Sequence, residues 1–80
     1  MNPVQSRMAR AALDWSIADL ARAADVSVNT VNRFESGNDA RLSSVDKMRS
    51  AMEAAGVEFI AENGGGPGVR LRKASSPKRT

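Results

Sequence analysis

The side chains best equipped for chemistry sit in one short stretch, VSVNTVNRFESG, from Val26 to Gly37. Its apolar residues Val26, Val31 and Phe34 fall on one side of a helix, while Asn29, Thr30, Asn32 and Arg33 fall elsewhere. Carboxamides and a guanidinium offer paired, planar hydrogen bonds. Arg33 can donate two to a guanine edge, an asparagine can pair with an adenine edge, and Val28 can meet a thymine methyl. The same polar side is equally compatible with a solvated surface, so the elements that hold it must decide.

Other chemistries are poorly supplied. The 80 residues contain no cysteine and no histidine. This removes the disulfide, the thiolate nucleophile and the commonest general base and metal ligand. The carboxylates show no metal-binding cluster and no catalytic pairing, so neither an enzyme nor a bound cofactor or metal is expected. GGGPG in the stretch ENGGGPG lacks the following Lys-Ser/Thr and helix of a phosphate-binding loop and reads as a turn. No apolar run is long enough to span a membrane and no signal segment opens the chain. A reduced, cytoplasmic protein, nucleoid-associated if it binds DNA, is the expectation.

The net charge of +3 conceals an asymmetry. Up to Glu62 there are seven Lys/Arg against nine Asp/Glu, and after it Arg70, Arg72, Lys73, Lys78 and Arg79 stand without an acid. Any anion binding by the body therefore depends on a local patch rather than on overall charge.

Four helices are expected over residues 1–56. Asn2, Pro3 and Gln5 have the pattern of a capping box with proline at the first helical position, followed by Val4, Met8, Ala11 and Ala12 at helical spacing. Ser16 and Asp19 start a second helix, with Ile17, Leu20, Ala21 and Ala24 inward and Trp15 and Leu20 at staple positions. Ser27 caps the third, and Gly37 ends it. Ser43 and Asp46 form a capping-box pattern for the fourth, with Val45, Met48, Met52 and Ala55 inward and Gly56 as its stop. The period then changes. Val57–Ile60 and Val69–Arg72 read as strands of a hairpin spanning residues 57–73, with Arg70 and Arg72 across from Glu58 and Glu62. Residues 74–80 form a basic tail expected to be disordered. The fold class is thus mainly α with a short C-terminal β-hairpin.

The join of the second and third helices is the most specific feature. A small residue where the two helices approach, a turn residue that accepts an unusual backbone, and apolar residues beyond it are supplied by Ala21, Asp25, Val26, Val31 and Phe34. With these residues, SIADLARAADVSVNTVNRFESG resembles the helix-turn-helix of the XRE-type, phage lambda/434-repressor-like transcriptional regulators. The resemblance runs from about Val4 to Val57. Asp25 stands where glycine is usual, a mild departure because aspartate visits the left-handed region more readily than most residues.

The resemblance implies a structural pair between Arg10 and Glu35. It implies base contacts from Ser27, Val28, Asn29, Asn32 and Arg33 in the major groove. Backbone contacts would come from Ser16 and Ile17 and from Thr30, Ser36, Asn38 and Arg41. Ile17 replaces a glutamine often found there, removing one side-chain anchor. Double-stranded DNA is the implied partner and transcriptional regulation the implied role, repression being favoured because a dimer on a promoter blocks polymerase without any further surface. A homodimer is expected to use Val57, Phe59, Val69 and Leu71 and to read an inverted repeat. The alternatives are an antitoxin-type regulator with a protein partner, and an interaction module that has lost DNA binding.

Overall fold

A computed structural model describes residues 1–62 and 64–72. The chain forms α1 (Pro3–Leu13), α2 (Ile17–Ala24), α3 (Val28–Glu35), α4 (Leu42–Ala54), β1 (Val57–Ile60) and β2 (Gly68–Leu71). The four helices and antiparallel hairpin match the expected fold class. The expected disordered tail at 74–80, with Lys73 before it, lies outside the described residues.

Local chemistry sets most boundaries. Asn2 Oδ1 accepts the Gln5 amide at 2.7 Å while Gln5 Oε1 accepts the Asn2 amide at 3.0 Å, closing the capping box of α1. Ser16 and Asp19 do the same for α2. Ser27 Oγ accepts the Thr30 amide at 3.0 Å to start α3. The C-termini of α1 and α2 turn on aspartates in the left-handed region, Asp14 (φ 58) and Asp25 (φ 57). In each, the next amide reaches back past the turn: Trp15 to the Arg10 carbonyl and Val26 to the Ala21 carbonyl. Gly37 (φ 87) ends α3 in the same manner, with the Asn38 amide on the Arg33 carbonyl at 2.9 Å.

Leu20, Val31, Met48, Met52 and Val57 are fully buried, with Ala9, Ala21 and Ala24 beside them. Ile17, Trp15, Val26, Phe34 and Ala51 pack around this centre. The small Ala21, 4% exposed, lets α3 cross closely over α2.

Several expectations are corrected. The inner face of α1 is formed by Gln5, Ser6 and Ala9, whereas Val4 is 50% exposed and Ala11 and Ala12 face outward. That inner face is partly polar because it supplies hydrogen bonds to α3 and the hairpin. The capping box at Ser43 and Asp46 does not form. Helix α4 begins at Leu42, and Arg41 at its cap position makes no side-chain bond to it. Ala51 rather than Ala55 completes its inner stripe.

The hairpin starts its second strand at Gly68, one residue earlier than expected. Glu58 faces Arg70 across the strands, and their side chains meet at 2.8 Å. Arg72 does not pair with Glu62. Its Nη2 donates to the Glu53 carbonyl at 2.9 Å and its amide to the Gly56 carbonyl at 2.8 Å. Gln5 Nε2 donates to both the Ile60 and Gly68 carbonyls at 3.0 Å, so one α1 amide clamps the loop end of the hairpin.

Candidate nucleic-acid interface

The outward side of α3 is built by exclusion. Val31 and Phe34 turn into the core and Glu35 is buried at the far end, leaving Val28, Asn29, Asn32 and Arg33 exposed. At 100° per residue these four span an arc of roughly 140°, a single face of a helix two turns long. Val28 is 46% exposed. Of the residues the sequence put off the apolar side, Asn29, Asn32 and Arg33 are exposed together with Val28, while Thr30 is half-buried. Ser27 is also exposed, but its Oγ already accepts the Thr30 amide and lies 2.8 Å from Thr30 Oγ1. Its hydroxyl is engaged in the cap.

Charge placement distinguishes this face from the rest of the surface. Arg22, Arg49 and Arg70 pair with Asp19, Glu53 and Glu58. Arg10 pairs with Glu35, while Arg7 and Arg72 donate to backbone carbonyls. Among the described residues, the two arginines with neither kind of partner are Arg33 and Arg41, and both line one groove of about 360 Å³. Thr30, Asp39, Ala40 and Ser44 complete its lining. The first turn of α4, which no side chain caps, opens at this groove through Arg41 and Ser44. Unbonded amides at a helix start and two free guanidiniums suit an anionic oxygen.

The other expected backbone contacts sit differently. Ser16 Oγ is occupied by the Asp19 amide, and Ile17 packs toward the core, so at this end of α2 the backbone amides are what is left to offer. The Asp19 carboxylate lies below its ordinary pKa, chiefly because it accepts the Ser16 amide, with Arg22 and the Ser16 hydroxyl adding to this. Ser36 and Asn38 are exposed in the turn that ends α3, outside the groove lining. Sequence reasoning missed Asp39 and Ser44. The misplaced start of α4 hid Ser44, and an acidic residue among arginines carries no motif.

Behind the face, Glu35 is held from α1. Arg10 donates through Nε to Oε2 at 2.9 Å and through Nη2 to Oε1 at 2.7 Å, and its Nη1 also reaches the Trp15 carbonyl at 3.2 Å. This is the pair expected from the sequence, in fork-to-fork geometry. The hydrogen bond to Glu35 raises the Arg10 pKa further, burial opposing and charge attraction assisting. Two members were not anticipated. Ser6 Oγ donates to Glu35 Oε2 at 2.6 Å, and Arg7 Nη1 donates to the Glu35 carbonyl. Their only sequence signal is spacing, since Ser6 and Arg7 stand four and three residues before Arg10 on the same helix.

The described residues hold no cluster of three potential metal ligands, and no helix among them is long and apolar enough to cross a membrane. No curated protein matches the chain. A family model described as helix-turn-helix matches residues 7–59, a span that takes in α1 from Arg7 onward, all of α2, α3 and α4, and the free-arginine groove. The chain therefore belongs to the XRE-family helix-turn-helix proteins, which are DNA-binding regulators.

Proposed function

We propose that this chain is a sequence-specific transcriptional repressor that binds an inverted repeat in double-stranded DNA as a homodimer. The observation that carries the reading is the segregation of Arg33 and Arg41. They are the described arginines without an internal partner, and they lie at the exposed face of α3 and the uncapped start of α4. In this reading Val28, Asn29, Asn32 and Arg33 meet base edges. Thr30, Ser36, Asn38 and Arg41 meet phosphates, with the α2 amides near Ser16 and Ile17 doing the same. Ser27 acts chiefly by capping α3.

Charge alone does not favour DNA here, because the body up to Glu62 carries more acids than bases. A local patch with bidentate donors is the arrangement that converts weak overall attraction into selectivity. One short helix makes few base contacts, so two copies spaced by about 34–36 Å supply the remainder. Repression follows because occupancy of a promoter needs no surface beyond the DNA contacts.

The test is selection of bound duplexes from a random library by the full chain, followed by fluorescence anisotropy on the enriched duplex and on its scramble. The expected result is an enriched inverted repeat bound at least about 10³-fold more tightly than the scramble. Equal binding to both duplexes overturns the reading.

A further inference from the structure

We infer that Ser6, on α1 and away from the exposed face of α3, is a positioning residue for base reading, acting through Glu35. The inference rests on the proposed DNA-reading role of α3. Ser6 is 0% exposed, and its hydroxyl donates at 2.6 Å to Oε2 of a carboxylate whose side chain is only 5% exposed. That same oxygen also takes Arg10 Nε at 2.9 Å, while Oε1 takes Arg10 Nη2 at 2.7 Å. Arginine alone fixes the carboxylate within the plane of its own fork. A guanidinium on a long side chain can swing with its partner, but a serine hydroxyl held by a single χ1 torsion to a buried helix backbone cannot. Ser6 is thus the short, stiff contact of the set, and it joins α1 to the last residue of α3.

Helix geometry gives this contact leverage. The eight residues of α3 span about 12 Å, so a tilt of about 5° at the Glu35 end displaces the Val28 end by about 1 Å. Bidentate contacts need their partners within about 0.5 Å of the productive geometry. Contacts between long basic side chains and phosphates tolerate such a shift. Loss of the Ser6 hydroxyl therefore weakens selective binding while leaving non-selective binding nearly intact. A contact that merely held the fold together would weaken both through the folded fraction.

The experiment compares the full-length wild type with Ser6→Ala, Ser6→Cys and Ser6→Thr on the selected duplex and its scramble, well below each variant's melting temperature. Cysteine leaves no cavity, its sulfur being larger than the oxygen, but donates poorly to a carboxylate, and threonine keeps the hydroxyl. The expected result is a roughly tenfold loss of the selected-to-scramble ratio in the alanine and cysteine variants, part of what one bidentate base contact provides. Scramble affinity should change by less than about twofold, and threonine should restore the ratio even if it lowers the melting temperature. A wild-type ratio in Ser6→Ala or Ser6→Cys overturns the inference and leaves the DNA reading standing. So does an equal loss on both duplexes. If alanine abolishes folding, the cysteine variant decides by the same criteria. A wild type without any duplex preference overturns the DNA reading itself and the role of Ser6 with it.

Discussion

At the scale of single residues, Glu35 and Arg33, two positions apart on α3, illustrate opposite uses of charge, one buried and one exposed. Glu35 is buried and fully engaged by Ser6 and Arg10. Replacing it with alanine leaves a guanidinium 18% exposed and a buried hydroxyl without their acceptor. Breaking a buried pair in this way costs about 3–5 kcal/mol, and the residual exposure of Arg10 places Glu35→Ala near the low end. Denaturant unfolding should therefore show a loss of about 3 kcal/mol, with a loss under 1 kcal/mol contradicting the packing account. Arg33 and Arg41 lack internal partners and should leave stability unchanged when truncated. Their effects on binding should differ. Arg33→Ala should lose about 1–3 kcal/mol of discrimination at one base pair. Arg41→Ala should weaken all duplexes alike and flatten the log–log salt slope by about 0.9. Binding isotherms at several salt concentrations separate the two.

At the scale of elements, the caps define where each helix can point. The turn between α2 and α3 depends on Asp25 at φ 57, a conformation that costs an L-residue energy which glycine avoids. Its side chain makes no hydrogen bond or ion pair among the described residues. Asp25→Gly should therefore stabilise the domain by up to about 1 kcal/mol. For a chain of this size that is a rise in melting temperature of about 4–8 °C per kcal/mol. Asp25→Val should lower it, because a β-branched residue fits the left-handed region badly. Scanning calorimetry checks both signs.

Two exposed carboxylates tie cap and strand stability to pH. The Asp19 pKa is lowered chiefly by the Ser16 amide, and the Glu58 pKa chiefly by its hydrogen bond to Arg70, which is itself pushed up by the same contact. A depressed carboxylate contributes stability above its unfolded pKa, about 4, and that contribution fades as pH falls through the folded value. The melting temperature should thus decline below about pH 4, and Glu58→Gln should remove part of that decline.

At the scale of the whole molecule, the hairpin faces inward. Val57 is fully buried and Phe59 and Val69 pack on the helical core, so of the four residues expected to meet a second copy Leu71, at 52%, is the one left exposed. A dimer would accordingly form through Leu71 and the free strand edges rather than through the full apolar face, with the two-stranded sheet extended across the axis. Sedimentation at micromolar concentrations should give twice the 8.5 kDa chain mass, and Leu71→Lys should return it to that mass. A wild-type monomer under those conditions removes the dimer from the mechanism.

The residues themselves determined whatever is local. Ser16 with Asp19, Asn2 with Gln5 and Ser27 with Thr30 close rings within one turn, so spacing alone locates the starts of α1, α2 and α3. The small Ala21, the aspartate turn and the inward Val31 and Phe34 likewise specify the corner, and with it the outward side of α3. Tertiary structure decided what depends on partners far along the chain. The inner face of α1 is polar at Gln5 and Ser6 because the hairpin carbonyls lie 55 and 63 residues away and Glu35 lies 29 away. Hydropathy periodicity cannot register a buried hydroxyl that is satisfied by such a group. The same holds at Ser43 and Asp46, whose spacing suits a cap that the loop from Asn38 does not deliver, since α4 starts two residues before Ser44 with no side chain at its amides. That uncapped end and the two unpaired arginines beside it emerge only when the chain is folded, because being without a partner is a property of every surrounding residue at once.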